Sequence, residues 1–152
     1  MISLHFVVGL KKLIIIPTTL LVIGMNTRVG LAQNQVYNPI PVTPSTEISD
    51  TLSAKDIPTG QGGFGRDYVV KLNQGDNLLI DAISESFDTI ITLLAPNGTT
   101  VAENDDGPDG TTNSLLFTRI NEAGNYIIRV RSFGETGVGP FQLKVTKLQR
   151  VK

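Results

Sequence analysis

The chain has 152 residues, with 13 Lys and Arg against 14 Asp and Glu, one His and no Cys, for a formal net charge of −1. Without Cys there is no thiol nucleophile, thiolate metal site or disulfide framework. The lone histidine, His5, lies in an apolar leader, so the rest of the chain has no imidazole for a catalytic triad, a general base or a zinc site.

Residues 1–32 have the three parts of a secretory signal. Lys11 and Lys12 are the positive region, Leu13 to Met25 is almost wholly apolar, and Gly30-Leu31-Ala32 is a small-x-small site that predicts cleavage before Gln33. The apolar run is shorter than the about 20 residues of a membrane-spanning helix, although the apolar stretch from Met1 to Leu10 leaves retention as an anchor open. The expected destination is the periplasm or the outside of the cell, with no stable membrane span after cleavage. Loss of Lys11, Lys12 and Arg28 leaves ten basic and fourteen acidic residues, a net charge of −4 that argues against nucleic acid as a partner.

Residues 33–45 are rich in Pro, Asn and Gln without apolar periodicity and read as a flexible linker. A first strand is expected from Thr46, with Ile48 and Leu52 inward, and Asp56 to Gly65 then interrupts regular structure through Pro58 and its glycines. Gly60 to Gly65 formally matches a dinucleotide-binding GxGxxG, but a strand rather than a helix follows it. Gly62 to Val70 also fits one copy of a calcium-binding β-roll nonapeptide, and one copy cannot build a roll that depends on stacking.

From Asp67 onward the period is two. Strands are expected at Asp67–Leu72, Asn77–Ser84, Thr89–Ala95, Thr99–Ala102, Ser114–Ile120, Asn125–Ser132 and across Phe141–Val145, separated by Asn-Gln-Gly-Asp, Pro-Asn-Gly and Asn-Glu-Ala-Gly turns. Asn97-Gly98 is a strong hairpin signal, and Asn97-Gly98-Thr99 is also a glycosylation sequon that the turn already explains. Arg129, Arg131 and Lys144 fall on the polar phase of their strands and are expected to face solvent. No stretch after the leader has helical periodicity. Seven to eight short strands point to an all-β, antiparallel β-sandwich of jelly-roll or Ig-like type over residues 46–148, with 149–152 as a short tail.

Between the strands lies an acidic turn, Glu103-Asn104-Asp105-Asp106-Gly107-Pro108-Asp109-Gly110. From Asp76 to Asp109 the chain carries Asp76, Asp81, Glu85, Asp88, Glu103, Asp105, Asp106 and Asp109 without one Lys or Arg. Adjacent carboxylates repel by about 1 kcal/mol at roughly 4 Å even in bulk water. A hard cation that takes oxygen ligands, Ca²⁺ above all, would offset that repulsion. A solvated Asp/Asn/Gly turn is the other reading. The turn is not an EF-hand, because counting from Asp105 the bidentate Glu position is occupied by Leu116. Ion binding would instead combine two loops, around Asp88 and around Asn104 to Asp109. A carboxylate-only glycan hydrolase would have to use Asp81, Glu85, Asp88 or Glu103, and no spacing selects a pair among them.

The order of several landmarks resembles the bacterial pre-peptidase C-terminal domain, a β-sandwich similar to the collagen-binding domains of collagenases. The landmarks are Asp67-Tyr68, Leu72-x-x-Gly75, Phe87-Asp88-Thr89, Ile91-x-Leu93, Pro96-Asn97-Gly98, Asn104-Asp105-Asp106, Asn113-Ser114, Ala123-Gly124-x-Tyr126 and Gly139-Pro140-Phe141-x-Leu143. The resemblance implies a non-catalytic accessory module that in some members binds Ca²⁺ and in some an extracellular protein or polysaccharide. It places the family's acidic loops at Asp88, Asn104, Asp105 and Asp106, with Asn113-Ser114 at the exit of the second. Such modules usually accompany a peptidase, which this sequence does not include, so a partner, chaperone or inhibitor of a separately encoded secreted protease is a further reading.

Overall fold

The chain from Ile40 to Leu148 forms ten strands in the computed structural model, which describes residues 37–60, 62–108 and 110–149. The secretory signal and cleavage site lie outside the described residues. Among those that are described, no helix is long and apolar enough to cross a membrane.

The strands are β1 (Ile40–Val42), β2 (Thr46–Leu52), β3 (Ile57–Pro58), β4 (Phe64–Leu72), β5 (Asn77–Ile83), β6 (Thr89–Leu94), β7 (Thr100–Asn104), β8 (Ser114–Arg119), β9 (Gly124–Ser132) and β10 (Gly139–Leu148). One sheet has the order β1-β4-β9-β6-β7, with β3 also on the edge of β4, and the other has the order β2-β10-β5-β8. All pairings are antiparallel except β1 with β4. This is the expected sandwich, with two additional short strands.

Those two strands have a common origin. Ile40–Val42, inside the stretch read as linker, and Ile57–Pro58, inside the stretch read as irregular, both contain proline and both sit at the sheet's edge beside β4. Proline cannot donate to a ladder on both sides, and an edge strand does not ask it to. Ile40 and Val42 pack against the core.

The inward phases of the two sheets meet in one apolar cluster. Tyr68, Val70, Ile80, Ile91, Leu93, Ile128, Val130, Leu143 and Val145 are all fully buried. Each such Leu, Ile or Val contributes about 1.5–3 kcal/mol relative to exposure. Toward one end of the sandwich the core becomes aromatic, with Phe141 meeting the edges of Tyr68 and Phe87 at centroid distances of 6.5 and 6.1 Å. Phe87 thereby fastens the β5–β6 loop to the core.

Four connections gather at this aromatic end, those between β2 and β4, β5 and β6, β7 and β8, and β9 and β10. Their common location follows from the ladder, since Leu52 opposes Gly139, Gly65 opposes Arg131, Thr89 opposes Ser132 and Ala82 opposes Ser114. The opposite end holds the tight turns, including Asn97-Gly98, where Gly98 at φ 83° donates its N–H to Ala95 O at 2.8 Å.

Candidate functional site

Asp88 ends the β5–β6 loop, and the residues around it are held firmly. Ser84 Oγ donates to Pro140 O at 2.9 Å and accepts from the N–H groups of Ser86 and Phe87. On the other side Thr89 is locked to the start of β8, since Ser114 Oγ donates to Thr89 O at 2.6 Å and Ser114 N to Thr89 Oγ1 at 2.8 Å. Asn113 Oδ1 accepts the Ser84 N–H at 3.0 Å. The sequence landmarks Phe87-Asp88-Thr89 and Asn113-Ser114 are therefore two halves of one fastening that joins the sheets.

The second acidic loop is fastened as well. Asn104, the last residue of β7, uses its amide Nδ2 to donate to Asp106 O and to Leu115 O, both at 2.7 Å, and Asp106 O also accepts from Leu115 N at 3.2 Å. Asn104 thus ties the end of the first sheet to an edge strand of the second and caps backbone groups that an edge strand leaves open. This bracing role adds to the expectation that Asn104 belongs to the acidic site. Asp109 lies outside the described residues.

The fold brings Asp88, Asp105 and Asp106 into electrostatic range. The carboxyl of Asp88 is pushed above the usual carboxylate range by burial, then by the charges of Asp105 and Asp106. Among the described residues, no Lys or Arg forms an ion pair with any of these three carboxylates. Other carboxylates of the acid-rich stretch find cations from distant strands. Asp76 meets Lys147 at 2.7 Å and Glu103 meets Arg131 at 3.2 Å. Asp81, on the outward phase of β5, stands directly across from Lys144, with burial raising its carboxyl and Lys144 opposing that rise.

The three carboxylates present oxygen donors only, which suits a hard cation. Among the described residues no group of three or more Asp, Glu, His or Cys side chains has the spacing of a formed metal site. The loops bring like charges near one another without closing them into a ligand shell.

The candidate acid–base residues do not form a catalytic pair. Glu103 accepts from Thr92 Oγ1 at 2.6 Å and lies on the first sheet, whereas Asp81 lies on the second. Glu85 borders an open groove of about 580 Å³ over β2, β10 and the 84–86 turn, lined by Ser49, Thr51, Ser84, Ser86 and Gln142 among others. The other carboxylate there, Asp50, is engaged by Arg66 Nε at 2.7 Å and by Tyr68 OH at 2.8 Å. Arg66 also pairs with Asp56 at 2.6 Å.

Sequence reasoning did not find a third acidic feature, on the outer face of the first sheet. Asp67, with its side chain 1% exposed, accepts from Arg129 Nε and Nη2 at 2.7 and 2.8 Å and from Tyr37 OH at 2.7 Å. Burial of the hydroxyl end and the bond to Asp67 push the Tyr37 hydroxyl up to about 12. Arg129 and Arg131 are on the outward phase, as expected, but both are neutralised by acidic partners. Asp67 as a sequence landmark was the available signal; its partner 62 residues away was not visible.

This arrangement of strands has known counterparts. Residues 65–132 match the bacterial pre-peptidase C-terminal domain family. That stretch includes both acidic loops. The pre-peptidase C-terminal domain is a non-catalytic accessory β-sandwich module. The solved pre-peptidase C-terminal domain of a collagenase from Bacillus anthracis is similar, with a TM-score of 0.58 and 14% identity over 74% of this chain and 99% of that one. PliG of Aeromonas hydrophila, described as a periplasmic inhibitor of g-type lysozyme, matches with a TM-score of 0.53 and 17% identity, over 72% of this chain and 96% of that one. At these identities the structural likeness concerns the fold alone. No curated protein matches the chain by sequence.

Proposed function

We propose that this pre-peptidase C-terminal-type sandwich is a secreted accessory module that binds an extracellular protein or polysaccharide, and that Ca²⁺ held between its two acidic loops stabilises the binding end. The observation that carries the reading is the convergence of Asp88, Asp105 and Asp106 with no Lys or Arg paired to them among the described residues, in a protein that pairs Asp50, Asp56, Asp67, Asp76 and Glu103. An ion drawing the two loops together would relieve their repulsion. Asp88, Asp105 and Asp106 are its ligands in this reading, and Asp109 in the same loop is a fourth candidate.

With an affinity in the extracellular-module range, about 10⁻⁴ to 10⁻³ M, roughly 1 mM Ca²⁺ would add about 0.4–1.4 kcal/mol. The fold does not depend on it. Thermal unfolding of the purified protein in Ca²⁺, Mg²⁺ or chelator tests the reading. The expected result is a Ca²⁺-specific rise in midpoint that disappears in the Asp105→Ala, Asp106→Ala double variant. An equal rise in that variant, or no rise in the parent protein, refutes it.

A second reading, a partner or inhibitor of a separate secreted enzyme, is supported by the lysozyme inhibitor that shares the fold. Retention of the protein by an exported enzyme, rather than by cell-wall or matrix material, separates it from polysaccharide binding.

A further inference from the structure

Ser132, at the end of β9, takes the buried inward phase, which sends Phe133 outward; its side chain is 60% exposed, and Val138 on the same loop is 42% exposed. The loop that carries them is tightly held. Phe133 N donates to Asp88 O at 2.8 Å. A Cβ on Gly137 would come within 2.6 Å of Ser132 Cβ and 2.9 Å of Phe87 Cβ, and one on Gly63 within 3.1 Å of Gly134 O. Gly62 lies equally close to Glu135. An aromatic presented by a braced loop loses little conformational freedom on binding, the condition under which an exposed side chain serves as an anchor.

The charge around this anchor is mostly negative. Glu85, Asp88, Asp105, Asp106 and Glu135 stand in the four loops without an ion-pair partner among the described residues. Of the described basic groups at this end, Lys55 stands in a loop, Arg66 is committed to Asp50 and Asp56, and Arg131 is committed to Glu103. The outer face of the second sheet also exposes Phe117 and Ile83, but its Asp81 is opposed by Lys144 and offers a partner no preferred sign.

Building on the reading of the chain as a protein-binding module, we infer that its loop end docks a basic extracellular protein, with Phe133 seated in an apolar pocket of the partner flanked by Lys or Arg. Glu85 and Glu135 steer and orient the partner in either state, joined by Asp88, Asp105 and Asp106 most strongly when no Ca²⁺ is held between them, and the apolar anchor sets how long it stays.

A random-sequence peptide display panned against the purified protein tests this. The protein is held through its C-terminus, since β10 runs from the loop end to the opposite end. The probes are the enriched peptides, measured with Ca²⁺ and with chelator, against the parent protein, Phe133→Ser and Phe117→Ser. The expected peptides carry Lys or Arg beside an apolar residue. They should bind the parent and Phe117→Ser alike, weaken roughly tenfold or more with Phe133→Ser, and weaken with added salt. Unchanged unfolding midpoints check that both variants are folded. Peptides whose binding falls with Phe117→Ser and survives Phe133→Ser overturn the surface while leaving the protein-binding reading intact. If no peptide is enriched, both fall.

Discussion

Replacing Arg129 by Met leaves Asp67 in place without its main partner. Asp67 is 1% exposed and receives two charge-assisted bonds from the guanidinium, with only the Tyr37 hydroxyl as a third donor. Breaking one side of a buried pair costs about 3–5 kcal/mol, because the remaining charge stays desolvated. Arg129 itself is 28% exposed, so water can enter its vacated space, and the lower end, about 3 kcal/mol, is the expected loss. At roughly 4 °C or more per kcal/mol for a domain of this size, the midpoint should fall by about 12 °C. The double change Arg129→Met with Asp67→Leu removes the stranded charge as well, and should recover most of the loss, since a buried pair and its apolar replacement are often nearly equal in stability. Urea unfolding of the parent, single and double variants measures all three. A single variant that loses less than about 1 kcal/mol, the size of a surface pair, or a double variant no better than the single, would refute the reasoning.

Other consequences follow from the same contacts. Tyr37→Phe removes one hydrogen bond to a carboxylate and should cost about 1.5 kcal/mol in urea unfolding. Asn104→Ala leaves the Leu115 and Asp106 carbonyls without their side-chain donor and should cost about 1–2 kcal/mol, with faster amide exchange at the start of β8. Gly139→Ala should destabilise more than an ordinary loop change, since Gly139 sits at φ 142° and a Cβ there would come within 2.5 Å of Ser86 Cβ; full recovery of the parent midpoint would contradict that packing. For Asp88 the sign depends on pH. Its folded carboxyl is raised by burial and by its acidic neighbours, so the folded state disfavours the charge. In chelator at neutral pH, Asp88→Asn should therefore raise the unfolding midpoint, and the gain should vanish below the unfolded value of about 3.9, where both forms are neutral.

Much of this fold can be read from local patterning. Period two marks β4, β9 and β10, because a half-buried strand must alternate, and Asn97-Gly98 marks its hairpin because φ > 0 is needed there. Ile40–Val42 and Ile57–Pro58 escape that reading, since a strand so short that includes proline has no periodicity to detect. Charge is harder still. Within the acid-rich stretch, Asp76 and Glu103 look much like Asp88, yet Lys147 and Arg131 reach them from β10 and β9. Register alone decides which carboxylates are neutralised, and register depends on the whole ladder. The acidic turn was therefore legible as a feature, whereas the pairing of Asp76 and Glu103 with cations emerged only once strands distant in sequence were paired. Asn104 shows the converse, where a residue placed in the site by its neighbours also proves to be a brace between the sheets.

The most direct test of the acidic end is amide NMR of the purified protein titrated with Ca²⁺, with Mg²⁺ as control. Saturable Ca²⁺-specific shifts confined to the amides of Phe87, Asp88 and Asp105 to Gly107, and their loss in Asp88→Asn, are the predicted result. Shifts scattered over the sheets, or none at millimolar Ca²⁺, would contradict an ion held between these two loops.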